Sequence, residues 1–212
     1  IYQFEYNDHE VLECIDGSTA CIILEPVQAE AGVRIPDQQW LRNIRKKCDE
    51  TGCMLIFDEI QTGFGRTGSL FRFQEIGVIP DILLLGKALG GGMPLGAFIS
   101  SKETMHLLTH NPLLGHITTF GGHPVCCAAG LAAFNYLVLE NLIHSVKAKE
   151  ELFRALLIHP AIRKLSSCGL LIAVHFDNFE TNKKIIDRCI EKGVFTDWFL
   201  FADNAMRIAP PL

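Results

Sequence analysis

Three short apolar runs, each closed by an ionisable residue, constrain this chain more than any other feature. Cys21–Leu24 ends at Glu25-Pro26, residues 53–57 end at Asp58-Glu59, and Ile82–Leu85 ends at Gly86-Lys87. Each run is of strand length and apolar throughout, as expected for strands of an α/β sheet. Between the first two, residues 36–51 carry Trp40, Leu41, Ile44 and Cys48 at helical spacing, a one-sided apolar stripe. Strand–helix alternation of this kind predicts an α/β domain with a mostly parallel sheet. A fourth run, residues 95–100, follows Leu85 too closely for a crossover helix, so it is expected to lie antiparallel.

Beyond that sheet the pattern changes. A long helix is expected over residues 124–157, with Pro124 suited to its first turn. Residues 170–176 and 206–208 read as strands and 180–192 as a helix, a small C-terminal α+β domain. The expected division is therefore residues 1–157, half of a large domain ending in the inter-domain helix, and residues 158–212, part of a small one. Of the 212 residues, 49% are hydrophobic and 20% charged, which predicts a packed core. The formal net charge is −5, and the basic cluster Arg42, Arg45, Lys46 and Lys47 reads as a solvated helix face, so no nucleic-acid partner is expected. No apolar run reaches membrane-spanning length, and the mixed, acidic first residues carry no secretory signal. The eight cysteines contain no CxxC pair; no metal site is expected, and reduced thiols point to the cytoplasm. Ile1 stands where an initiator Met would, and the chain closes on Ala209-Pro210-Pro211-Leu212, which reads as the interior of a longer protein.

Ligands of open α/β sheets sit outside the carboxyl ends of the strands. Here those ends carry Glu25 and Glu30, then Asp58 and Glu59, then Lys87. Taken alone, Lys87 reads as a loop lysine whose ammonium reaches water. Asp58, closing an apolar run, needs donors or a cation. One run of that look is the magnesium-binding strand of a phosphate-loop ATPase, but the lysine motif G-x-x-x-x-G-K-[ST] fails at both Asp81 and Ala88. A phosphate loop preceding Ile1 would keep that alternative open.

Five segments, in order along the chain, explain more residues at once: LEPVQAEAG (24–32), FDEIQTGFGRTG (57–68), PDI (80–82) leading to KALGGG (87–92), TTFGGHP (118–124) and RIAPPL (207–212). Together they resemble the class III aminotransferases, the fold-type-I pyridoxal-phosphate (PLP) enzymes that include ornithine, acetylornithine and 4-aminobutyrate aminotransferases. The resemblance implies that Lys87 binds PLP covalently as a Schiff base and moves the substrate proton, for which its pKa must be depressed. Asp58 would hold the proton on the pyridine nitrogen, Gln61 would hydrogen-bond the phenolic oxygen, and Ile60 would pack on the ring. Gly90, Gly91 and Gly92 would let the backbone approach the cofactor. Thr118 and Thr119 match the pair that reaches the cofactor phosphate of the other subunit, which implies a homodimer with shared active sites. Arg207 matches the arginine that clamps a substrate carboxylate, and Glu30 the acid that masks it. Arg66 reads as a surface or turn residue, and His123 as a capping side chain.

The implied reaction transfers an amino group from an ornithine-like or ω-amino donor to 2-oxoglutarate. An aminomutase, decarboxylase or racemase of the same class is an alternative, as is an inactive binding module. The glycine- and serine-rich phosphate loop and the aromatic that covers the ring are not found in this chain, so the chain by itself is expected to be weak or inactive.

Overall fold

The structure, a computed structural model, describes residues 1–212. Helix α1 (Val11–Cys14) leads to strand β1 (Cys21–Leu24), helix α2 (Gln38–Thr51) and strand β2 (Met54–Asp58). Helix α3 (Arg72–Ile76) and strand β3 (Ile82–Leu85) follow, then a 3-10 turn at Lys87–Gly90, strand β4 (Ala97–Ser100) and helix α4 (Lys102–His106). The sheet order is β1-β2-β3-β4. β1, β2 and β3 are parallel, with Leu24 opposite Phe57 and Asp58 opposite Leu84; β4 runs antiparallel to β3, as its short connection requires.

Helix α2 shows why the sequence folds this way. Asp37 caps it, accepting from the Gln39 and Trp40 amides, and Gly52 at φ +75° ends it by donating to the Cys48 carbonyl. Its stripe of Trp40, Leu41, Ile44 and Cys48 is buried with Leu55, Phe57, Leu83 and Leu85 of the sheet. Along β2 the side chains alternate, so Leu55, Phe57 and the next residue in phase, Glu59, face this core, whereas Asp58 turns to the other side.

The expected single helix over 124–157 is broken. Helix α5 (Pro124–Leu139) stops at Glu140, a 3-10 turn spans Leu142–Ser145, and helix α6 (Val146–Leu156) leaves at an angle of 57°. Asn141 sits in the left-handed region at φ +51°, which Asn tolerates better than other side chains. The turn carries Leu142 and Ile143 onto the main core, which a continuous helix would not do. No single helix is long and apolar enough to cross a membrane.

A second sheet, order β5-β6-β8-β7, is antiparallel throughout and consists of Lys164–Cys168, Leu171–His175, Ala202–Ile208 and Trp198–Phe199 in that order. Helix α7 (Phe179–Glu191) covers one face, where Ile186 meets Val174, Phe176 and Met206. The other face packs on Val27, Ala29 and Val33, the segment that follows β1. A mixed, mostly parallel sheet and an antiparallel one are thus held against each other at residues 27–33.

Candidate active site

The carboxyl ends of β1, β2 and β3 converge. Asp58 is the last residue of β2, and its Oδ1 accepts from the Ile60 amide at 2.9 Å, which sets the turn that follows. Ile60 then packs on Gly86: a Cβ there would lie 3.3 Å from Ile60 Cγ2, so a side chain would push the two apart. Lys87 comes next, at φ +47°, a conformation that costs a non-glycine residue roughly 1–2 kcal/mol. Partial burial lowers the Lys87 pKa and Arg207 lowers it further, against the pull of Glu30, Asp58 and Glu25. Three carboxylates and a second cation therefore share the field of this amine.

Glu25 closes its own turn, with Oε2 accepting from the Ala29 amide at 3.0 Å, while Tyr6 donates to the Glu25 carbonyl at 2.7 Å. Burial, then Asp58 and Glu30, push the Glu25 carboxyl above its ordinary range, opposed by the Ala29 amide and Lys87. Glu30 is a hub. Its Oε1 accepts from Gln61 Nε2 at 2.9 Å, and its Oε2 accepts from Arg207 Nη2 at 2.8 Å and from the Leu200 amide at 3.2 Å. Burial raises the Glu30 pKa, but these donors and the guanidinium charge outweigh it and leave the pKa lowered. Arg207 also lies 4.7 Å over the Phe199 ring, and its Nε is 3.1 Å from Asp197 Oδ1.

A cleft of about 720 Å3 opens at this point; Ile60, Gln61, Lys87 and Arg207 line it on one side, and Phe134 and Leu137 of α5 lie among its apolar walls. Its size suits a small cofactor with substrate.

Residues 4–212 match the family described as Aminotransferase class-III. The chain belongs to the class III aminotransferases. Ornithine delta-aminotransferase from Plasmodium falciparum is 32% identical over 99% of this chain and 55% of its own, with a TM-score of 0.88. Acetylornithine aminotransferase from Elizabethkingia anophelis is 32% identical over 99% of this chain and 54% of its own, again at 0.88. Ornithine aminotransferase from Toxoplasma gondii, crystallised with oxidised glutathione and holding PLP at partial occupancy in its active site, is 33% identical over 98% of this chain and 50% of its own, at 0.86. The chain thus spans about half the length of the aminotransferases it matches.

The residues present suit PLP, the cofactor on which class III aminotransferases depend. An amine of lowered pKa and a carboxylate stand at neighbouring strand ends beside an apolar wall and an amide. Other expected aminotransferase residues fall elsewhere. Thr118 and Thr119 lie in an exposed turn outside the cleft lining. Gly90 and Gly91 pack closely within the chain: a Cβ on Gly91 would lie 2.5 Å from the Ala129 carbonyl oxygen of α5. Glu59 points into the core, where it accepts from the Arg72 and Phe73 amides and from Thr62 Oγ1 at 2.6, 2.8 and 2.9 Å, capping α3. Arg66 lies in a turn, as expected, but is half-buried: its Nη1 donates to the carbonyls of Pro210 at 2.6 Å and Leu170 at 3.1 Å, along the cleft. His123 precedes α5, but its side chain makes no capping bond. Asp197 was given no role from the sequence, where its only signal is its place ten residues before Arg207, between the expected helix and strand.

Proposed function

We propose that the complete protein is a PLP-dependent transaminase that moves an amino group from an ornithine-like or ω-amino donor to 2-oxoglutarate. The observation that carries this reading is Arg207 held by Glu30 within the field of Lys87. When bound, PLP supplies an electron sink for the carbanion formed at the substrate carbon. Lys87 Nζ would anchor the cofactor until the donor's amine displaces it, and would then carry the proton away from the donor's carbon, a task that its lowered pKa favours. Asp58 keeps a proton on the cofactor's ring nitrogen. Gln61 has one amide hydrogen on Glu30 and a second free to donate to the cofactor's phenolic oxygen. Ile60 backs the ring.

Glu30 and Arg207 divide the two halves of the reaction. With the guanidinium bonded to Glu30, a donor whose reacting amine has no adjacent carboxylate enters without competition. The acceptor's carboxylate must displace Glu30 to reach the same fork. Thr118 and Thr119 serve the active site of a second copy in this reading; exposed Leu113, Leu114, Ile117 and Phe120 around them support a homodimer contact there.

The test is a coupled assay for glutamate with the complete protein, PLP, 2-oxoglutarate and ornithine, N-acetylornithine or 4-aminobutyrate in turn. Glutamate should form with at least one of them. Donor consumption that proceeds without 2-oxoglutarate would instead mark an aminomutase, decarboxylase or racemase.

A further inference from the structure

Arg207 is held by two carboxylates, and only one of them belongs to the gate just described. Glu30 Oε2 accepts from Nη2 at 2.8 Å, and Asp197 Oδ1 lies 3.1 Å from Nε. Nε and Nη2 form one edge of the guanidinium, so both acids lie close to that edge, and the trio carries one net negative charge. The contacts differ in kind. Nε is buried and has no aligned acceptor, so Asp197 acts on it through charge and not as a hydrogen-bonded anchor.

Asp197 is nonetheless fixed in place. The Arg207 amide donates to the Asp197 carbonyl at 2.8 Å, Thr196 Oγ1 donates to the Arg207 carbonyl, and Phe199 lies under the guanidinium. The segment 196–199 therefore wraps around Arg207 and delivers a carboxylate to its flank.

We propose that Asp197 is a second anionic lock on Arg207, weakening the site for any ligand carboxylate and so biasing it towards donors whose reacting amine is terminal. This deepens the functional reading above and rests on it. A carboxylate approaching Arg207 meets Asp197 even after Glu30 has moved aside, because Asp197 belongs to the strand connection and not to the gate. A terminal amine meets no such opposition. The Asp197 side chain is 54% exposed, so water screens it and the effect is modest.

The experiment uses the complete protein loaded with PLP and measures binding of glutarate, a dicarboxylate that cannot accept an amino group, through the visible band of the bound cofactor. Asp197→Asn removes the charge but keeps an oxygen beside Nε. It should tighten glutarate binding and lower KM for 2-oxoglutarate by about two- to fivefold. The gap from wild type should shrink in 1 M salt, where screening reaches about 3 Å. Asp197→Glu should behave as wild type. Weaker glutarate binding in Asp197→Asn, or affinity and salt dependence equal to wild type, would overturn the lock while leaving the transaminase reading intact. A protein with no borohydride-sensitive visible band would instead sink that reading and the lock with it.

Discussion

At the strand end Asp58-Glu59, two adjacent carboxylates take opposite fates because β2 alternates its side chains. Asp58 turns away from the core, and Glu59, with 0% exposure, stays inside it. Three donors converge on Glu59, so Glu59→Ala would strand the Arg72 and Phe73 amides at the start of α3. The expected loss is about 2–4 kcal/mol, read as a lower urea midpoint at unchanged slope. Glu59→Gln, which keeps an acceptor, should lose less. Both acids were legible in the sequence as strand-end groups, but period-two alternation says only that they part, not which one enters the core. The partners of Arg66 were hidden for a related reason. A glycine-rich loop suggests the surface, while its partners are carbonyls more than a hundred residues away.

Among the elements, the strands and α2 were readable because each carries its own apolar period and its own stop signal. β5 and β7 were not. Lys164–Cys168 is polar in sequence and becomes a strand only by pairing with β6, and β7 is two residues long. The helix break at Asn141 was equally hidden, since nothing apolar is missing there; the core gains Leu142 and Ile143 by the turn. The glycines after Lys87 show packing at this scale. Gly91→Ala would press a Cβ within 2.5 Å of the Ala129 carbonyl and force alanine to φ +57°. We expect a loss of about 2–4 kcal/mol, visible as a lower Tm. Because the same contact places α5 against the turn that carries Lys87, PLP affinity should fall as well.

Across the whole molecule, the Glu30–Arg207 pair joins positions 177 residues apart and ties the segment after β1 to the second sheet. No periodicity could have revealed it; the resemblance of two short motifs did. Its pH dependence has a definite sign. The folded pKa of Glu30 is lowered from an ordinary value of 4.5, so its contribution is complete above that value and lost as pH falls through the folded one. Wild type should exceed Glu30→Gln by about 1–2 kcal/mol in unfolding free energy at neutral pH. The difference should shrink below pH 4.5, which paired denaturation curves across that range would show.

The central claim is that Lys87 is the amine to which the cofactor attaches. The complete protein, incubated with PLP, reduced with borohydride and digested, answers this by peptide mass. The account predicts a phosphopyridoxyl group on Lys87, absent in Lys87→Ala. A modified lysine elsewhere in the wild type, with Lys87 unlabelled, would contradict it.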